Sequence, residues 1–323
     1  MKSHMISRIR SVYWVIPLAL LVVLCVANIL VDPGFLEPAY LPGMLAAFAP
    51  LAILAMASTP AILAGGGGID ISLAPLGVFT SILLVTQVLP TDALNSPVTA
   101  TILALVIGTT VGTINGLLVT VLRFQPILAT LCGLFILTGL NLKLAPMPVP
   151  AGDNWTAGLA GTAWGVPIAL LLIAVPVVIW IALSRTAWMR NLYAVGGDQI
   201  AAYSAGVNVR GVRLLAYALG GFFAGLAGIA ILAIIRAGDA TIANQYLILA
   251  LTAVALGGTS FMGGRGGLLG SLIGASSIFM LQLLLTTLGL RSAWLQVAYG
   301  GVLLLAVILA GRLAAARSKG ARA

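Results

Sequence analysis

Few side chains in this sequence suit acid–base or nucleophilic chemistry, and none are spaced for it. The one histidine is His4, and the two cysteines, Cys25 and Cys132, lie inside apolar runs, where a thiol is ordinary packing. There is no HExxH, no Gly-x-Ser-x-Gly, no paired-carboxylate pattern and no metal-ligand cluster. A phosphate-binding loop requires Gly-Lys followed by Ser or Thr, and none of Lys2, Lys143 and Lys319 follows a glycine. Any ATP-driven role therefore needs a separate ATPase. What remains is neutral hydrogen bonding. Asn115, Gln125, Thr130, Thr138, Asn141, Gln245, Thr252, Gln282 and Gln296 fall within apolar surroundings. Such groups either bond helix to helix or face a pathway. For any one of them helix bonding is the favoured reading. Together, their uncharged character suits a neutral polar solute such as a sugar and argues against a proton-coupled carrier. Asp70, Asn115, Gln125, Thr130, Asn141 and Gln245 form the candidate substrate path.

The elements that must position these residues are membrane helices. Of the 323 residues, 61% are hydrophobic and only 7% charged, with a mean hydropathy of +1.16. Soluble domains carry about a quarter charged residues, so the expected fold is an all-α polytopic membrane protein. Ten segments are long and apolar enough, or nearly so: 13–31, 45–64, 72–89, 98–122, 126–144, 164–183, 212–234, 244–260, 267–288 and 293–312. With the N-terminus inside, thirteen of the sixteen basic residues fall on the cytoplasmic side and only Lys143, Arg236 and Arg291 outside. Both ends are then cytoplasmic. The net charge of +9 follows this placement and does not indicate nucleic acid. Residues 1–5 read as a leader before a natural start at Met5, residues 6–313 as one transmembrane domain, and 314–323 as a basic cytoplasmic tail. The longest external loop, 145–163, is proline-containing and expected to be extended. It is too short to capture a ligand by itself.

Three irregular stretches interrupt the apolar pattern. Arg185–Arg213 is a cytoplasmic loop that should contain a short helix, Asp198–Ala205, entered through Gly196-Gly197, N-capped by Asp198 and stopped at Gly206. A capped helix outside the bilayer is well placed to touch another protein; a structured loop without a partner is the equal alternative. The other two are Gly65–Ser72 and Gly257–Gly267. Each reads as a broken or re-entrant segment or as a tight turn. Asp70 is expected to cap the helix starting near Ser72 or to be solvated, with substrate contact as a minority reading. Gly221-x-x-x-Gly225 is a close-packing face.

Four stretches together resemble the permease subunits of bacterial ATP-binding-cassette importers for monosaccharides, the ribose-permease group. They are Gly67–Ser72; Gly112–Gly116 followed by Gln125–Leu131; Ala194–Asp198 through Ala201-Ala202 to Gly206–Val209; and Gly257–Ser260 with Gly263–Gly266. The resemblance implies a pathway between two permease subunits, a second copy or a homologous chain. It implies an ATPase pair on the cytoplasmic face that carries the ATP and Mg, and a periplasmic sugar-binding protein outside. This chain itself would bind lipid but no cofactor, metal or nucleic acid. Asp198, Ala201, Ala202, Gly206 and Asn208 would then belong to the coupling helix that the ATPase grips. The chain departs from the family pattern at Ile200, where glutamate is usual, and at Leu247, Ile248 and Leu249, where Glu-Leu-Asp is usual.

Overall fold

The computed structural model describes residues 15–290, 294–302 and 304. The expected leader with His4, the expected basic tail, both termini and half of the tenth expected span lie outside the described residues. The helices, in chain order, are α1 Val15–Val31, α2 Leu41–Leu63, α3 Leu73–Leu83 (extended by a π-helical turn, Leu84–Val88), α4 Pro97–Thr120, α5 Pro126–Leu144, α6 Ile168–Ser184, α7 Ala187–Gly197, α8 Gln199–Ser204, α9 Val209–Ile235, α10 Ala243–Leu256 and α11 Leu268–Thr287. Residues 294–302 are again helical. Each expected span thus has a helix over most of its described residues, and the molecule is an all-α polytopic membrane protein. Helices α2, α4, α5, α9 and α11 are each long and apolar enough to cross a bilayer, while α1, α3 and α10 are shorter. Both α3 and α10 adjoin a glycine-rich junction, which takes the place of the missing turns.

Helix α2 is the centre. Every residue from 49 to 65 is buried, as expected of a helix apolar on all sides. Helix α9 packs beside it and serves three neighbours through glycines on different faces. A Cβ on Gly220 would lie 2.8 Å from the Ala57 carbonyl oxygen of α2, and one on Gly228 2.7 Å from Gly77 O of α3. On the third face, a Cβ on Gly221 would lie 2.9 Å from Gly112 N of α4. The close-packing face expected at Gly221 and Gly225 is real, and its partner is Gly108-x-x-x-Gly112 on α4. Between helices in lipid, where apolar burial gives little drive, such backbone approach is what holds them.

The external loop between α5 and α6 is more ordered than its prolines suggest. Strand β1 (Val149–Pro150) pairs antiparallel with β4 (Ala237–Gly238), which follows α9, and β2 (Thr162–Ala163) pairs with β3 (Val166–Pro167). Trp155 Nε1 donates to Asn95 Oδ1 at 2.8 Å. The tight turn at Trp164-Gly165, both at positive φ, starts α6 at Ile168 instead of the expected 164.

Candidate functional site

The loop from 185 to 213 folds into two helices where the sequence pointed to one. Thr186 caps α7 through its side-chain oxygen, which accepts from Met189 N. Met189, Leu192 and Val195 recur at helical spacing and are buried against Leu63, Ala64 and Val212. Gly196 and Gly197 are therefore the last turn of α7 and not a free entry to the next helix. Asp198 behaves as expected: its Oδ1 accepts from Ile200 N at 2.9 Å and Ala201 N at 3.0 Å. This fixes the start of α8, Gln199–Ser204. Gly206 ends it at φ +83°. Asn208 Oδ1 then accepts from Gly211 N at 3.0 Å and caps α9. Within α8, Ala202 is buried on the side facing α7, whereas Ile200 and Tyr203 are 80% and 73% exposed. Arg213 lies inside α9 and is half-buried, not in the loop.

The two glycine-rich junctions and the loop meet. A Cβ on Gly196 would collide with the Leu63 carbonyl at the end of α2 and lie 2.5 Å from Gly264 N. A Cβ on Gly65 would lie 2.9 Å from Gly196 Cα, and Gly263 crowds Gly65 in turn. Gly264 N donates to Leu63 O at 3.0 Å, and Tyr193 Oη on α7 donates to Gly266 O at 2.8 Å. Three chain segments touch backbone to backbone, which only glycines allow. Gly65, Gly263 and Gly264 also adopt positive φ, a conformation that costs other residues about 1–2 kcal/mol. The junctions and the loop therefore share one end of the bundle. Arg265 follows Gly264 there, and Arg213 meets Gly66. At the opposite end Arg236 pairs with Asp153 at 3.6 Å. The packing thus sorts these arginines into the same two sides as the charge rule.

Gly65–Ser72 does not turn back at the bundle surface. After Gly67 the chain climbs back among the helices, and Asp70 is only 2% exposed. Asp70 Oδ1 accepts from Ser72 N at 2.9 Å and from the Ser72 hydroxyl at 2.7 Å, while Oδ2 accepts from Asn115 Nδ2 at 3.3 Å. Asp70 thus supports the start of α3 as expected, but it is enclosed and not solvated. Asn115 also donates to Ser72 Oγ at 2.8 Å. The Thr130 hydroxyl reaches Ile69 O at 3.2 Å, and Asn141 Nδ2 reaches Pro75 O at 3.1 Å. The cluster bolts the entry of α3 to α4 and α5. Irregular backbone survives at this depth because protein groups satisfy it.

The structure therefore brings together Asp70, Asn115 and Thr130, with Asn141 further along the same α3–α5 seam. Gln125 and Gln245 are not part of that seam. Gln125 precedes α5 in the α4–α5 connection, between the expected spans 98–122 and 126–144, and is exposed; Gln245 is exposed in the first turn of α10. Between the α4–α5 connection and α8 lies a cavity of 760 Å³ lined by Arg123, Gln125, Gln199, Tyr203, Arg210 and Arg213, among others. Tyr193 and the cavity arginines escaped the sequence reading. The helical spacing of Met189, Leu192 and Val195 was the available signal for Tyr193; nothing local announces the cavity.

Residues 40–310 match the family described as branched-chain amino acid transport system / permease component. The chain is 34% identical over 297 residues to the ribose import permease protein RbsC of Bacillus subtilis (strain 168), covering 90% of each chain. It is 32% identical over 300 residues to RbsC of Escherichia coli (strain K12), covering 90% of this chain and 91% of that one. It is 30% identical over 310 residues to the fructose import permease protein FrcC of Rhizobium meliloti, covering 91% of this chain and 84% of the relative. No solved structure matches. With the match spanning nearly the whole helical bundle, the chain belongs to this family of transport-system permease components and is a multi-pass protein of the inner membrane.

Proposed function

We propose that this chain is the membrane-spanning subunit of an importer that carries a monosaccharide inward and is driven by a separate ATPase. The observation that carries the reading is the mounting of α8. The short helix presents Ile200 and Tyr203 outward, and the end of the helix before it is locked to α2 and to the 263–264 turn by glycine-to-glycine contact. A partner that moved α8 would move the ends of two spans with it. ATP and Mg would sit on that partner, since the sequence has no phosphate-binding loop. Asp198, Gly206 and Asn208 shape the coupling helix, Ala201 and Ala202 keep it slim, and a second permease subunit completes the pathway. A periplasmic binding protein delivers the solute.

The relatives named for ribose and fructose favour a sugar over the amino acid of the family's description. The site chemistry agrees. An amino acid brings a carboxylate and an ammonium, which need charged partners inside the membrane. The one carboxylate in the α3–α5 seam, Asp70, is engaged by Ser72 and Asn115. Of the path residues, Gln125 and Gln245 are exposed enough to meet a solute, while Asp70, Asn115, Thr130 and Asn141 fix the helices that frame it.

The test is a tagged pull-down from native membranes in mild detergent, followed by uptake assays on the recovered assembly. A co-purifying ATPase and ATP-dependent uptake of a pentose or hexose are expected. Recovery of the chain alone, or uptake that proceeds without ATP, would overturn the reading in favour of a channel or secondary carrier. ATP-dependent uptake of leucine but of no sugar would overturn the cargo assignment.

A further inference from the structure

The cavity beside α8 is an unusual place for so much unopposed positive charge. Arg123, Arg210 and Arg213 all line it, and no carboxylate does. Among the described residues, the ion pair lies at the other end of the bundle, between Arg236 and Asp153. Arg213 is the most telling of the three. Its Nε donates to Ala64 O at 3.4 Å, but its Nη2 is buried with no hydrogen-bond partner. Its guanidinium packs over Gly66, where any side chain would strike it. A buried guanidinium nitrogen left unsatisfied costs more than an ordinary hydrogen bond contributes, so a small shift of the Arg213 side chain toward an anion in the cavity it lines is favoured. Gln125, Gln199 and Asn208 add neutral polar groups to the same wall.

The surroundings select the kind of anion. The cavity opens beside the cytoplasmic end of α4, where Val121, Leu122 and Phe124 are exposed. Leu128 is exposed in the first turn of α5. Helices α4 and α5 are the least buried of the long spans, and these side chains extend their exposed apolar surface to the rim of the cavity. The result is a cluster of arginines at the inner membrane boundary with an apolar flank next to it. Guanidinium forks match phosphate oxygens. Basic pockets between membrane helices on the cytoplasmic side take anionic headgroups.

We propose that this cavity binds the phosphate of an anionic phospholipid headgroup from the inner leaflet, with its acyl chains lying along Val121, Leu122 and Phe124. The lipid would fill the space beneath the coupling helix, since Gln199 and Tyr203 of α8 form part of the cavity wall. The inference needs only the membrane location of the chain and stands apart from its cargo.

The test uses the purified full chain in detergent. Phosphatidylglycerol, phosphatidylcholine and inorganic phosphate are added separately. Bound lipid is counted by native mass spectrometry and thermal stability is followed in parallel. Phosphatidylglycerol is expected to be retained and to raise the melting temperature, phosphatidylcholine to do neither, and inorganic phosphate to act only at far higher concentration. The double variant Arg123→Gln with Arg210→Gln removes two exposed charges. It should melt like the wild type without lipid and bind phosphatidylglycerol about thirty-fold more weakly. Arg213→Gln should weaken binding independently. Equal retention of the two lipids, or unchanged phosphatidylglycerol binding by both variants, would overturn the site. Inorganic phosphate matching phosphatidylglycerol would assign the cavity to a free anion and overturn the lipid. Loss of ATPase co-purification in the double variant, with lipid retention intact, would assign the arginines to an acidic protein partner and overturn the proposal.

Discussion

Replacing Gly196 with alanine isolates the contact on which the coupling mechanism rests. Judged by local propensity the change should help, because alanine in a helix is favoured over glycine by about 1 kcal/mol. Packing reverses that expectation. The new methyl would overlap the Leu63 carbonyl oxygen and sit 2.5 Å from Gly264 N, roughly 1 Å inside ordinary contact. None of these atoms is the end of a flexible side chain, so α7 must move away from α2 and from the 263–264 turn together. Such overpacking costs about 1–3 kcal/mol, leaving a net loss of up to about 2 kcal/mol after the propensity gain. The neighbouring residue supplies the control, since a Cβ on Gly197 would meet nothing within 4 Å. The assay is ATP-driven uptake by the reconstituted assembly, together with its ATPase rate and the melting temperature of the chain. Gly196→Ala should lower the melting temperature and cut uptake more than hydrolysis, while Gly197→Ala should match or exceed the wild type. Equal behaviour of the two variants would refute the argument that these glycines transmit movement by direct contact.

Asn115→Leu should lower stability by about 1–3 kcal/mol, because the Asp70 carboxylate loses its inter-helix donor inside the bundle; thermal melting in detergent reads it, and Gln245→Leu should leave the melt unchanged while impairing uptake. Gly108→Leu should block close approach of α4 to α9 and reduce folded yield on size-exclusion chromatography, whereas Gly139→Ala, open to space, should be silent. A bulky residue at Gly206 meets no neighbour but must adopt φ near +83° at the end of α8. Gly206→Val should therefore leave membrane insertion intact and uncouple hydrolysis from uptake, as measured by the ratio of the two rates.

Where the chain marks its own boundaries, the fold was legible in the sequence. Helix α5 runs Pro126–Leu144, the span expected, because proline at its first position has the backbone angle of a helix start and no N–H left unsatisfied there. Helix α8 was legible for a similar reason, since Asp198 and Gly206 are strong terminators. Helix α7 was hidden by Arg190 and Asn191, which make its amphipathic pattern look like loop. Helix α6 began late because the Trp164-Gly165 turn is set by pairing with the chain around it and not by hydropathy. The glycine-rich junctions were visible as irregular, but glycine tolerates so many backbone conformations that composition could not say where they lead. Their convergence with Gly196 depends on three segments distant in sequence. The α3–α5 seam was half legible: Asp70, Asn115, Thr130 and Asn141 stood out as polar residues among apolar ones, but their pairing was set by tertiary packing. Gln125 was grouped with the buried path residues because Phe124 and Pro126 continue the apolar surroundings across the α4–α5 turn, where it is exposed.

The central claim, that α8 is the surface through which an ATPase drives this permease, is tested most directly by site-specific photo-crosslinking in native membranes. A photoreactive residue is placed at Ile200 or Tyr203, both outward on α8, and as a control at Trp164, which is 97% exposed at the opposite end of the bundle. The account predicts crosslinks from positions 200 and 203 to one ATPase polypeptide, changing in yield when ATP is trapped, and none from 164. Crosslinks to that ATPase from 164, or none from either α8 position while the assembly still co-purifies, would contradict it.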